Sequence, residues 1–237
     1  MFLEPLNYHK TFNVNNRGRD YFVGDIQGHF KELTSKLSSI GFDHEQGDRL
    51  FSLGDILNKG EDSKACIELL TNKWFHAVMG NHEELFLTYN EDPRIREKFF
   101  NAGGEWVKQY DNAPSELKYL KAMVQYWTYF AFTVLTDKGS IGVVHGQSPS
   151  NWLNLTENKL SERERAECIW SNEKFEQDPS RLSRVEGVDL VVHGHANCQE
   201  VTVKQNQIWI DTIKRTGSLT ILNSDQLFDL MESSNES

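Results

Sequence analysis

At 237 residues the chain is long enough for one large domain or two small ones, and 14 Phe and 6 Trp within a hydrophobic fraction of 38% can fill a sizeable core. A net charge of -10 argues against nonspecific binding of nucleic acid. The longest apolar candidate, residues 127–135, falls well short of the roughly 20 residues that a spanning helix needs, so no membrane segment is expected. Three widely spaced cysteines, Cys66, Cys168 and Cys198, predict reduced thiols in a cytoplasmic protein rather than a disulfide frame or a zinc knuckle. The first residues carry no charged leader followed by an apolar core, so no secretory signal is predicted.

Along the chain, residues 1–19 are polar and irregular and read as a surface arm. The apolar run at 20–24 enters Asp25-Ile26-Gln27-Gly28-His29, and Phe30, Leu33, Leu37 and Ile40 then share one face of a helix that Gly41 can stop. Two further apolar runs, 50–53 and 74–79, lead into Gly54-Asp55-Ile56-Leu57-Asn58-Lys59-Gly60 and Gly80-Asn81-His82-Glu83, with helical character over 62–70 between them. The pattern is strand, loop, helix repeated, and ligands of such units sit beyond the carboxyl ends of the strands, where these polar residues fall.

From 85 to 126 the pattern is mostly helical, broken at Gly103-Gly104 and restarted at Pro114, and reads as an insertion between two halves of a sheet-rich core. Residues 127–135 and 140–144 read as strands joined by a turn at 137–139, the second ending in His145-Gly146. After loops and short helices over 146–187, the run 188–192 is another buried strand, ending in His193-Gly194-His195. Residues 199–204, 207–211 and 218–222 read as a closing meander, and 224–237 as an exposed acidic tail. Without a repeat, a low-complexity linker or a composition shift, a single domain over 1–237 is expected.

Strand ends therefore collect Asp25, Gln27, Asp55, Asn81, His82, His145 and His195. Hard oxygen donors mixed with imidazole suit Mn, Fe, Zn or Mg, and two cations sharing one carboxylate would use such a set. Paired cations clamp a phosphoryl group and the attacking water, so phosphoester hydrolysis is the chemistry this set suggests.

The order GD-x-x-G, GD-x-x-x-x-G, GNHE, HG, GH resembles the metal-dependent phosphoprotein phosphatases of the calcineurin-like metallophosphoesterase family, nearest to their bacteriophage lambda-type and bacterial Ser/Thr branch. Trp74-Phe75, Ile169-Trp170 and Ile210-Asp211-Thr212 strengthen the resemblance, which covers about residues 18–222. It implies an α/β four-layer sandwich, two mixed β-sheets flanked by helices. It also implies two divalent metal ions, Mn foremost, with Asp55 bridging, Asn81, His145 and His195 completing the second site, and Asp25 in the first. The histidine usual in the first site is Gln27 here, so that site is expected to be the weaker one. His82 takes the position of the family's general acid. The aspartate that usually orients it is Asn58, which tilts the expected preference toward better leaving groups, phosphoanhydrides or aryl phosphates.

The family's two arginines align with Lys59 and Asn172, so Lys174, Lys214 or Arg215 is expected to supply the second substrate-binding cation, alongside Lys59 and Asn81. The partner implied is a phosphorylated protein or a small phosphorylated substrate. Asn58-Lys59 also resembles the diadenosine tetraphosphate hydrolases. Gln27, Asn58 and Asn172 together admit a third reading, an impaired enzyme that binds a phosphorylated ligand without turnover. His29 is an outward-facing alternative to Gln27, and His193 is expected to be structural.

Overall fold

The computed structural model describes residues 6–235. In chain order the regular elements are β1 (Asn7–Phe12), β2 (Asp20–Val23), α1 (Phe30–Ser39), β3 (Arg49–Ser52), α2 (Ser63–Glu68), β4 (Phe75–Val78) and α3 (Asn81–Thr88). Then come α4 (Pro93–Asn101), a 3-10 segment Gly104–Tyr110, α5 (Pro114–Trp127), β5 (Thr128–Thr136), β6 (Gly139–Val144), α6 (Trp152–Thr156), α7 (Glu162–Trp170) and α8 (Glu173–Glu176). The chain closes with β7 (Leu190–His193), β8 (Thr202–Lys204), β9 (Gln207–Trp209), α9 (Ile213–Thr216), β10 (Ile221–Asn223) and α10 (Ser224–Asn235).

The strands form one continuous mixed ladder in the order β10-β2-β3-β4-β5-β6-β7-β9-β8, with β1 added to β5. Side chains alternate across it, as strand geometry requires. Phe22, Phe51, Phe132, Val143, Val192 and Ile208 meet in one buried cluster, which lies between two halves of the curled sheet. The opposite faces carry Tyr21, Val23 and Leu50 under α1, α2 and the 81–127 helices, and Phe130, Val144 and Val191 under α6 and α7. Helix, sheet, sheet, helix is the expected four-layer arrangement. The two sheets are joined through β5 rather than separate.

That join positions the site. β4 runs parallel to β5 but overlaps only its first two residues, Thr128 and Tyr129. β6 runs antiparallel to β5 and returns toward the same end, with Val143 opposite Phe132. The carboxyl ends of β4 and β6 therefore meet, and the parallel neighbours β2, β3 and β7 bring theirs alongside.

Three sequence expectations are corrected. Residues 7–12 are not part of an irregular arm: β1 pairs in parallel with Tyr129–Val134, Tyr8 stacks on Phe130 at 5.0 Å, and Phe12 joins the central core. Residues 224–235 are not an exposed tail: α10 buries Leu227 and Phe228 against that same core. β10 does not extend the β8–β9 hairpin but crosses the molecule to pair antiparallel with β2. The ends of the predicted arm and tail, 1–5 and 236–237, lie outside the described residues.

Candidate metal centre

Tight turns hold the polar residues at the strand ends. Gln27, Asp55, Asn58, Lys59 and His195 all adopt positive φ, between 48° and 76°, in the left-handed region that non-glycine residues enter at a cost of about 1–3 kcal/mol each. Glu83, fully buried, braces two of the turns: Oε2 accepts from the N–H groups of Asp55 (2.7 Å) and Gly80 (2.8 Å), and Oε1 from Ile56 (2.8 Å). Burial, then the charge of Asp55, pushes its carboxyl up to about 8, while the three N–H donors pull it back. Gly80 is obligatory, since a Cβ there would lie 2.2 Å from Asp55 Oδ1.

Four of the expected residues converge. Asn81 Oδ1 lies 3.1 Å from His145 Nε2 and 2.9 Å from His195 Nδ1, and His145 Nε2 is 3.4 Å from Asp55 Oδ1. One ligand atom each from Asp55, His145 and His195 all fall within 4.8 Å of one another. The tautomers are set from behind: His145 Nδ1–H donates to the Leu53 carbonyl at 2.6 Å, and His195 Nε2–H to the Trp170 carbonyl at 3.0 Å. This leaves His145 Nε2 and His195 Nδ1 as bare lone pairs, both aimed at the Asn81 carbonyl oxygen, which is also an acceptor. Three acceptors meeting at one point beside the Asp55 carboxylate form a donor set that fits a divalent metal ion. Burial would raise the Asp55 carboxyl, but His82, His145 and His195 reverse the effect and hold it at about 2. Burial depresses the His145 imidazole to about 4, which favours the neutral, ligating form.

Beside this group lie Asp25, Gln27 and Asp211, all buried. Asp25 Oδ1 accepts the His195 N–H at 3.0 Å. Burial pushes the Asp25 carboxyl well above its usual range, and Asp211 and Asp55 push it further. Gln27 is tied to the Asp55 loop through its backbone, donating to Asp55 O at 2.7 Å and accepting from Gly60 N at 2.6 Å. The Lys59 charge acts on Asp25 and Asp211 from the same loop.

His82 is buried with Nε2 3.5 Å from Asp55 Oδ2. Its Nδ1 lies 3.0 Å from Asn58 Nδ2, and Asn58 Oδ1 accepts from the Trp106 indole N–H at 2.7 Å. An indole nitrogen only donates, so the Asn58 oxygen is committed to Trp106 and its NH₂ must face His82. Nδ1 is then the acceptor, and the ring proton sits on Nε2. Burial lowers the His82 pKa, opposed by Asp55, with Lys59 and His195 adding to the depression.

The expected second cation is not at the centre. Lys174 donates to the Ser148 carbonyl at 2.8 Å, and Asn172 points to Glu176 at 2.9 Å. Lys214 and Arg215 lie exposed on α9, although the Lys214 charge reaches Asp211. His29 faces Glu61 at 3.7 Å on the outside. His193 is structural: Nδ1 donates to the Gly146 carbonyl and the ring stacks on Trp209 at 4.9 Å.

Sequence reasoning left Glu83, Trp106 and Asp211 off the candidate set. Glu83 stood in the GNHE block itself. Trp106 follows the Gly103-Gly104 break, where a Cβ on Gly103 would lie 2.7 Å from Lys59 N. Asp211 lay in the Ile-Asp-Thr block that supported the resemblance.

The calcineurin-like phosphoesterase profile matches residues 21–199, and the chain belongs to that family. It is a metallophosphoesterase, a hydrolase of phosphoesters. Serine/threonine-protein phosphatase 2 of Escherichia coli is 24% identical over 211 residues, covering 88% of this chain and 93% of that one. The symmetrical bis(5'-nucleosyl)-tetraphosphatase of Mannheimia succiniciproducens is 40% identical over 65 residues, 27% of this chain and 23% of that one. Among solved structures, a putative diadenosine tetraphosphatase shares the fold with a TM-score of 0.58 at 20% identity, covering 90% and 93% of the two chains. Among the described residues no helix is long and apolar enough to cross a membrane.

Proposed function

We propose that the chain hydrolyses phosphomonoesters as a bacterial-type Ser/Thr protein phosphatase, with two divalent cations, Mn preferred. Asp55, Asn81, His145 and His195 would hold one, and Asp25, Gln27 and Asp55 the other. The observation that carries the reading is the meeting of the Asn81, His145 and His195 lone pairs. When bound, the cations polarise the phosphoryl group and supply the attacking water.

The chain's own groups do the rest. Lys59 is exposed, and its positive charge, which acts on Asp25 and Asp211, would attract the phosphoryl oxygens. Asn81 fixes the orientation of the phosphoryl group. His82 offers an Nε2–H to the leaving oxygen, its ring held by Asn58.

Activity on p-nitrophenyl phosphate is expected to vanish with chelator, return with Mn, and fall at least about 100-fold in His145→Ala. Full activity in chelator would overturn the reading. Asn58 in place of a carboxylate favours a second reading, a nucleoside-polyphosphate hydrolase whose leaving group needs less protonation. Parallel assays with a phosphoserine peptide and diadenosine tetraphosphate separate the two. No turnover with Mn, Mg, Zn or Fe, in the wild type or in Gln27→His, would instead indicate a phospho-ligand binding module.

A further inference from the structure

Asp211 is the least explained charged group in the molecule. It follows β9 on a strand end that lies directly against β2: a Cβ on Gly24 would sit 2.5 Å from the Ile210 carbonyl oxygen and 3.2 Å from the Asp211 Cα. The residue next to Gly24 is Asp25. Asp211 is 1% exposed, and among the described residues no N–H or hydroxyl group donates to its carboxylate oxygens; the side chain it meets in hydrogen-bond contact is another carboxyl, that of Asp25. Its backbone oxygen is satisfied by Cys198 N at 2.8 Å, so only the side chain is left over. Its polar surroundings are two further carboxylates, Asp25 and Asp55, with Lys59 and Lys214 as the cations in range. Lys59 and Lys214 are both exposed at the surface, and neither donates to it.

Buried carboxyls set against one another with no N–H or hydroxyl donor between them are held together by a shared proton or by a cation among the oxygens. The same place is where the first cation of the proposed pair belongs, next to Asp25 and the shared Asp55.

We infer that Asp211 is a ligand of the first cation site, so that this site takes its donors from Asp25, Gln27, Asp55 and Asp211 and is built entirely of oxygen. The inference rests on the two-cation reading above. It changes the character of the site. Oxygen-only donors select hard cations, Mn or Mg, over zinc, whereas the imidazoles of His145 and His195 suit zinc and iron in the other site. The carboxylate also supplies the anionic donor that the neutral Gln27 cannot. The two sites then differ in kind as well as in strength, and a mixed pair, one hard and one borderline cation, is the natural occupancy.

The test is Mn binding to the full chain by calorimetry and electron paramagnetic resonance, comparing wild type with Asp211→Asn. The asparagine keeps the shape and can still donate to Asp25, so a role as a protonated partner of Asp25 survives the change, while a ligand role loses its negative charge and one of its two donor oxygens. Wild type is expected to bind two Mn with a spin-coupled spectrum. Asp211→Asn is expected to keep one Mn of unchanged affinity, lose at least about 10-fold in the other, and show an isolated-ion spectrum. Its metal-free melting temperature is expected to be no lower than the wild type's, since a buried repulsion is removed. Two Mn bound to Asp211→Asn within twofold of the wild-type affinities would overturn the assignment of Asp211 alone. Fewer than two Mn on the wild type would overturn the two-cation reading on which it rests. Should Asp211→Asn fail to fold, Zn competition on the wild type decides: Zn displacing only one Mn supports an oxygen-only site, and Zn displacing both with equal ease overturns it.

Discussion

Asn58 shows how one amide can set the behaviour of an imidazole 24 positions away. Its oxygen is taken by Trp106 and its NH₂ by His82, so the ring can present Nε2–H to a leaving group but cannot also hold a proton on Nδ1 toward Asn58. Asn58→Asp gives both Trp106 and His82 an acceptor. The ratio of kcat on p-nitrophenyl phosphate to kcat on a phosphoserine peptide is expected to narrow by about 10-fold, because the poorer leaving group gains a proton donor. Trp106→Phe frees the amide to turn, and the nitrogen-15 shifts of His82 report the result. Loss of the Nε2–H signature is expected, with the turned Asn58 oxygen accepting from Nδ1. An unchanged tautomer would remove Trp106 from the role. The sequence made Asn58, His82 and the convergent Asp55, Asn81, His145 and His195 legible, because each stands in a short block after an apolar run. It left Trp106 illegible as a site residue, because Trp106 reaches Asn58 only after a distant segment folds back.

Among the elements, the ends of the chain carried the least signal. β1 reads Asn-Tyr-His-Lys-Thr-Phe, and only Phe12 of it is buried. What makes it a strand is a partner 122 positions away, the free flank of β5 beyond its two-residue overlap with β4. α10 is acidic on the outside, where Asp225 and Asp229 meet Lys138 at 3.3 and 3.0 Å, and apolar where Leu227 and Phe228 touch the sheet. Its acidic residues announced a tail, and the apolar pair was too short a pattern to outweigh them. Leu227→Ala is expected to cost about 2–5 kcal/mol of unfolding free energy in urea, as for any fully buried leucine. A change below about 0.5 kcal/mol would return the segment to the status of a tail. The inner elements were legible because they are periodic: α1 ends before Gly41 at φ 67°, and helix breaks fall at Gly103-Gly104 and Pro114 as the pattern indicates.

At the scale of the whole molecule a half-buried titratable group stands at the margin of the central core. His76 sits among Phe12, Phe51 and Phe132, with ring centroids 4.5, 5.3 and 6.4 Å away. Burial, aided by the charges of Lys10 and Arg49, lowers its pKa from 6.5 to about 3. The folded chain thus holds His76 neutral while the unfolded chain protonates it near 6.5. Its contribution is intact above that pH and is lost progressively as the pH falls toward 3. His9, also lowered by burial, acts in the same sense. Between pH 7 and pH 5 the melting temperature of His76→Phe is expected to fall about 4 °C less than that of the wild type, followed by circular dichroism.

The strand order also bears on how the chain is made. β10 follows β2 by about 200 residues and seals its flank, and the end of β2 leads into Asp25. A growing chain on the ribosome therefore leaves that flank open until residues 221–223 have emerged, and β2 stays an edge strand while everything before them is being made.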